Sequence, residues 1–170
     1  MNAVRLPGFD AEALRRELAY DPATGVFTRL VSRSNTVAVG EAAGSVDDMG
    51  YVRINLLGGR YRAHQLAWLY MTGEWPQTDI DHINGRRDCN QWVNLRAVSR
   101  TVNLQNRRAA NPLNKTSGLL GASWNVQAQK WRSYIRVDGK TRHLGLYSTA
   151  EEAHSAYLVA KRALHEGCTI

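Results

Sequence analysis

Cysteine is scarce in this chain: 170 residues hold only Cys89 and Cys168, 79 positions apart. That spacing makes no paired-thiolate ligand set, so no structural zinc is expected and a reducing compartment is the default. No apolar run approaches the roughly 20 residues of a membrane-spanning helix, and Met1 to Asp10 lacks the apolar core of a secretory leader. Internal repeats and low-complexity tracts are missing as well. With 44% hydrophobic and 22% charged residues, the expectation is a globular, cytoplasmic protein without a membrane partner. Its length suits one ordinary domain or two small ones.

Acidic residues are nearly absent from one half. Between His82 and Arg142 there are 12 Lys and Arg against Asp88 and Asp138, while the remainder of the +7 chain is slightly acidic. A one-sided basic stretch points to a polyanion partner bound through its phosphates. A merely solvated basic surface is the plainer reading of the charge taken alone.

Residues 9–20 read as a short helix with Leu14 and Leu18 spaced four apart. Asp21-Pro22-Ala23-Thr24-Gly25 is turn chemistry, and Val26-Phe27-Thr28 leaves it as a strand. Gly50 to Leu56 alternates as a strand, Gly58-Gly59 turns the chain, and Gln65 to Met71 reads as a helix stopped by Gly73 and Pro76. Residues 109–116 are polar, contain a proline, lack periodicity and are expected to be a linker. Three strands follow at 121–126, 130–137 and 141–147, with a turn at Asp138-Gly139. Thr149-Ala150-Glu151-Glu152 is a capping box opening a helix to about His165, with Ala153, Ala156, Tyr157, Ala160 and Leu164 on one face. Along the middle strand Trp131, Ser133, Ile135 and Val137 share the face that can pack on that helix, and Arg132, Tyr134 and Arg136 point away.

The chemistry concentrates between positions 81 and 103. Asp81 supplies a carboxylate and Asn103 an amide carbonyl, hard oxygen donors suited to one Mg²⁺, with Mn²⁺ as the alternative. His82 titrates near neutrality and suits a base that takes a proton from water. Asn94 can accept from an imidazole N–H and hold the ring in one tautomer. Asp81-His82 is expected to end a strand, 83–93 to be a loop, 95–98 a second strand, and Ser99 to cap a helix whose first turn holds Asn103. Adjacent strand residues face opposite sides, so either the strand bends at this pair or a phosphate lies between the two side chains. Each residue alone has an ordinary structural reading; their joint spacing, with Gly85 and Leu95-Arg96, points to a site that hydrolyses a phosphodiester.

The segment resembles HNH endonucleases of the ββα-metal type, in the variant ending in Asn, over roughly residues 18–108 and including the Tyr20-Asp21-Pro22-x-Thr24-Gly25 opening. The resemblance implies His82 as the catalytic histidine, Asn94 as the middle residue, and Asp81 and Asn103 as metal ligands. It also puts His64 where phage and homing-type relatives carry a histidine near substrate. Gln65 and Gln91 depart from the pattern, standing where arginines are common.

Residues 117–166 resemble the APETALA2-type domain of plant ethylene-response regulators, through Ser117-Gly118, Lys130-Trp131, Ile135-Arg136, Leu144-Gly145 and Thr149 to Ala153. By position, the resemblance implies DNA-facing Ser123, Asn125, Arg132, Tyr134, Arg136, Thr141 and His143. A sheet of this kind can enter the major groove and set Arg136 on a guanine edge. Ser123 and Asn125 replace the usual arginines, so sequence preference does not transfer.

The expectation is an α+β protein of phage or mobile-element character, in a bacterial host cell, acting on double-stranded DNA. Its nuclease domain spans 1–108 with a ββα-metal core at about 76–108; a linker at 109–116 precedes a DNA-binding domain at 117–170, a three-stranded antiparallel sheet packed on one helix. Arg86, Arg87 and Arg96 would position phosphates near the cut, as would Arg100, Arg107 and Arg108. A monomer or weak dimer is expected, with one site per chain and therefore nicking of one strand unless two copies act together. The rivals are a DNA-binding regulator that keeps the HNH shape without cutting, and an RNA-binding protein.

Overall fold

The computed structural model describes residues 9–32, 38–111 and 113–170. Most of the leader expectation at Met1 to Asp10, and Pro112 of the polar stretch, lie outside them. The architecture is α+β. The chain divides into two compact units, Met1–Arg100 and Thr101–Ile170. The polar stretch 109–116 belongs to the second.

In the first unit, α1 (Ala11–Glu17) is capped by the Asp10 side chain, which accepts from the Ala13 amide at 2.8 Å. The expected helix to residue 20 stops three residues early. From Leu18 the backbone is extended, and β1 (Leu18–Asp21) pairs with β2 (Val26–Arg29) as an antiparallel hairpin. Leu14 and Leu18 are both fully buried, as their spacing suggested, but the cross-strand ladder takes over the backbone hydrogen bonds that a longer helix would need. The β1–β2 turn is built on Asp21, whose carboxylate accepts from the Ala23 amide and the Thr24 hydroxyl.

A second sheet orders β3 (Ser45–Val46), β4 (Val52–Leu56) and β5 (Gly59–Arg62), and β5 runs directly into α2 (Ala63–Thr72). This helix opens two residues earlier than its periodicity suggested and ends at Gly73, whose φ of 83° is the left-handed cap that favours glycine. Ile54, Leu56, Tyr61, Leu66 and Leu69 join Phe9, Leu14, Leu18, Tyr20 and Phe27 in one core. Each large side chain buried this way contributes about 1.5–3 kcal/mol. Ile80 and Leu95 extend that core into a two-stranded ladder, β6 (Asp79–His82) against β7 (Leu95–Val98). After β7 the chain enters α3 (Arg100–Gln105), where the division between the units falls.

The second unit places β8 (Ala122–Asn125), β9 (Lys130–Val137) and β10 (Lys140–Tyr147) in an antiparallel sheet with β9 central. The sheet packs against α4 (Ala150–Leu164), which starts in the complete Thr149/Glu152 capping box. Ser133, Ile135 and Val137 are buried toward it, and Arg132, Tyr134 and Arg136 are exposed. One face of α4 differs from expectation. Leu164 is exposed, whereas Lys161 is 1% exposed and its ammonium donates to the Arg107 carbonyl. A long stem can lie among apolar neighbours when its charged end finds a carbonyl. No described helix is long and apolar enough to cross a membrane.

The β1–β2 turn sits directly on the chain that follows β6: a Cβ added at Gly25, where φ is 77°, would meet the Asn90 carbonyl carbon at 2.3 Å. Gly25→Ala is therefore expected to lower unfolding free energy by about 2 kcal/mol or more, from left-handed strain and the backbone clash together. A urea titration checks this, and an unchanged midpoint would show that the turn does not bear on Asn90.

Candidate active site

Asp81 and His82 close β6, and both are buried, at 6% and 5% exposure. Register pairs Asp81 with Arg96 and His82 with Leu95, so the two side chains take opposite faces of the ladder. The Asp81 side is an ion pair: Arg96 donates from Nε and Nη2 to Oδ2 at 3.0 and 2.9 Å. The His82 side is aromatic and imidazole-rich. Its ring lies 4.9 Å from that of His64, edge to face, and 6.1 Å from that of Tyr51.

The loop after His82 is held by its own amides. Gly85 donates to the His82 carbonyl at 2.8 Å, and the Asn84 side chain accepts from the Arg86 amide at 2.8 Å. Asn94 spans the loop base, accepting from the Asn84 amide at 2.9 Å and donating to the Cys89 carbonyl at 2.7 Å. The sequence reading had Asn94 orienting the imidazole. In the structure its carboxamide closes the loop, and the side-chain amide beside the ring is Asn90, with Oδ1 3.3 Å from His82 Nε2. With Asn90 accepting, Nε2 carries the proton in that contact.

Asn90 is itself pinned from the first hairpin. The Tyr20 hydroxyl donates to its carbonyl at 2.6 Å, and Trp92 N–H donates to the Pro22 carbonyl at 2.9 Å. Burial, then the Asp21 and Cys89 charges, push the Tyr20 pKa up, so the phenol stays a donor. Asn90 was missed by the sequence reading, which had no local pattern to mark it; in the structure its Nδ2 donates to the Asp88 carbonyl at 3.1 Å.

Electrostatics favour neutral rings. Burial lowers the His82 pKa, opposed by the Asn90 hydrogen bond and the Asp81 and Asp88 charges. His64, 4% exposed, is lowered well below its ordinary 6.5, first by burial and then by His82, Arg62 and Arg53. Beside His82, the His64 imidazole is thus held toward its neutral form.

The basic residues separate into classes that sequence did not distinguish. Arg96, Arg100 and Arg86 pair with Asp81, Asp79 and Asp88. Arg87 is exposed, donates to the Met49 carbonyl at 2.9 Å and lies 5.0 Å from the Tyr51 ring centre. In the second unit Arg107 is exposed and Arg108 donates to the Thr169 hydroxyl at 2.7 Å. Asn103 is half-buried on α3. Across that unit's sheet Ser123 pairs with Arg132, Tyr134 with His143, and Arg136 with Thr141, which puts these six on one face. Arg132 lies 5.2 Å from the Tyr134 ring centre. Asn125 is committed to the β8–β9 turn, accepting from the Gln127 and Ala128 amides at 3.1 Å.

No group of three or more His, Cys, Asp or Glu side chains suited to a metal occurs among the described residues. A magnesium-type ion that keeps waters and takes substrate phosphate as ligand needs only one or two protein oxygens. Asp81 has the hard oxygen chemistry for it, although Arg96 already engages Oδ2.

Comparison with known proteins agrees with the motif. Residues 61–105 match the model of the HNH endonuclease family. Protein 3.8 of Escherichia phage T7 is 29% identical over 107 residues, which cover 56% of this chain and 87% of that protein. A solved structure of DNA binding and cleavage by the HNH homing endonuclease I-HmuI superposes with a TM-score of 0.44 at 20% identity, over 98% of this chain and 95% of that one.

The neutral, buried His64 makes a stability prediction. Its folded pKa is depressed, so the unfolded chain takes up a proton first as pH falls below about 6.5. Stability should be fully present above that value and decline toward lower pH. Urea midpoints measured from pH 7.5 down to 5.5 should fall, and less steeply for His64→Gln. An equal slope in the variant would mean that His64 is protonated in the folded protein.

Proposed function

We propose that this protein is a metal-dependent DNA endonuclease that hydrolyses phosphodiester bonds, with His82 as the general base. The observation carrying this reading is the buried, neutral imidazole of His82, braced by Asn90 at the strand end next to Asp81, inside a segment that matches HNH endonucleases. A depressed pKa keeps the ring unprotonated at neutral pH, the state in which it can take a proton from water. With Asn90 at Nε2, the basic nitrogen is Nδ1.

Asp81 and Asn103 are the residues that would hold one divalent ion, Mg²⁺ or Mn²⁺. Such an ion supplies charge neutralisation at the phosphate and at the leaving oxygen. Asp81 would have to share or release the Arg96 guanidinium, and a released Arg96 could itself meet phosphate. Asn94 serves by closing the loop that carries Asn90. Arg86, Arg87, Arg100, Arg107 and Arg108 would add sequence-independent grip on the backbone.

In the second unit, the exposed sheet face of Arg132, Tyr134 and Arg136, with Thr141 and His143, suits the major groove of duplex DNA, whereas the Ser123 hydroxyl on that face is buried. We assign target binding to it, in the manner of an APETALA2-like domain, and take 117–170 as that domain, 1–108 as the nuclease and 109–116 as the joint between them. The whole fits a phage or homing-type enzyme that nicks, since each chain offers one such site. One observation favours the rival, a non-cleaving DNA-binding regulator: the Arg96 guanidinium occupies the Asp81 carboxylate where that ion would sit.

Supercoiled plasmid separates the two. Wild-type protein with Mg²⁺ or Mn²⁺ should yield open circles, and EDTA should prevent it. His82→Ala should cut at least about 100-fold more slowly while binding DNA within about twofold of wild type. Equal cutting by wild type and His82→Ala would sink the mechanism, and binding without cutting on native-locus DNA would favour the regulator.

A further inference from the structure

The face of the β4–β5 hairpin that turns away from the core carries an uncompensated positive charge beside the two histidines. Ile54, Leu56 and Tyr61 point into the core, which leaves Arg53 and its cross-strand partner Arg62 on the other face. Two like charges directly opposite on a sheet repel. Asp47 neutralises one of them, accepting from Arg53 Nε at 2.7 Å. Arg62 has instead the ring of Tyr51, with its guanidinium carbon 4.4 Å from the ring centre. Arg87, arriving from the loop after His82, lies 5.0 Å from that same centre.

Tyr51 thus gathers two guanidinium groups that no carboxylate neutralises among the described residues. Cation–π contact orders them and leaves their N–H edges able to donate elsewhere. The same ring stands 5.4 Å from the His64 ring and 6.1 Å from that of His82. Arg62 immediately precedes α2, whose N-terminus has no side-chain cap and no acidic residue in its first turn. A convergence of two arginines and a helix start, with no acidic group to satisfy them, is the arrangement that receives a dianion edge or a phosphodiester.

We propose that Tyr51, Arg62 and Arg87 form a phosphate subsite that grips a backbone phosphate of the nucleic-acid strand next to the one being cut, with Tyr51 as the positioning residue that sets both guanidinium groups. This rests on the nuclease reading of the adjacent histidines. Tyr51 and Arg62 contribute positioning and charge here, and the Tyr51 ring adjoins those of both His64 and His82. The subsite fixes where the strand runs relative to the general base.

The test measures binding without cleavage. Fluorescence anisotropy of a labelled 30-base-pair DNA duplex in EDTA, repeated over a range of NaCl concentrations, yields the slope of log affinity against log salt. Arg62→Gln and Arg87→Gln should each reduce that slope by about one. Tyr51→Leu, which removes no charge, should reduce it as well, and Tyr51→Phe should restore the wild-type value because it keeps the ring. Arg16→Gln, a surface arginine of α1 paired to Glu12, is the control and should leave the slope unchanged. Melting temperatures establish that each variant is folded; were Tyr51→Leu unfolded, the two arginine variants and Tyr51→Phe would still decide. Wild-type slopes in Arg62→Gln and Arg87→Gln overturn the subsite while leaving the nuclease intact. Failure of the wild type to bind duplex DNA overturns the nuclease reading and the subsite with it.

Discussion

A buried imidazole can serve as a base only when something fixes its ring and compensates its lost hydration, and here that duty falls on Asn90. Its side chain meets His82 Nε2, and its carbonyl accepts from the Tyr20 phenol of the β1–β2 hairpin. Tyr20 in turn is packed against Phe27 and Tyr70, with ring centres at 4.7 and 5.7 Å, so the grip is anchored in the core. Glycine at position 25 lets the hairpin turn touch the Asn90 backbone, and Pro22 takes the next amide, that of Trp92. Core packing is thereby transmitted to the loop that carries Asn90 through these contacts. Loops with such buried anchoring hold side chains more exactly than their lack of regular structure suggests.

Charge in this protein is decided by pairing more than by number. Twelve basic residues between His82 and Arg142 suggest a broad positive field. Yet Arg86, Arg96 and Arg100 each lie on a carboxylate, and Arg53 lies on Asp47. The side chains left to meet an anion near the histidines are those stacked on Tyr51. On the sheet of the second unit, Arg132 and Arg136 are exposed beside Tyr134, and there the alternation of the strand alone sets the pattern.

Much of the local structure could be read from the chain. The Asp-Pro-Ala-Thr-Gly turn, the Thr149 capping box, the alternation of 130–137 and the strand ending in Asp81-His82 all formed where their residue types indicated. Helical spacing misled at Leu18, because a strand burying the same leucine found a partner in Arg29 of β2. It misled again on α4, where Lys161 rather than Leu164 is buried, because the Arg107 carbonyl waits for its ammonium. Asn94 was assigned a task that Asn90 performs, since two asparagines four apart in one loop are indistinguishable until the loop is folded.

Sequence by itself determined most of the elements, the pairing of a carboxylate with an imidazole at one strand end, and the side on which the second unit's arginines stand. These follow from neighbours along the chain: turn residues, capping spacing and the two-residue period of a strand. Tertiary structure alone decided which amide braces the imidazole and which arginines remain without a carboxylate. The Tyr20–Asn90 bond joins residues 70 positions apart, and the Arg87–Tyr51 contact joins the loop after β6 to the residue that precedes β4. Contacts of that kind depend on how elements pack, and packing of distant elements leaves no periodic trace in the residues that make it.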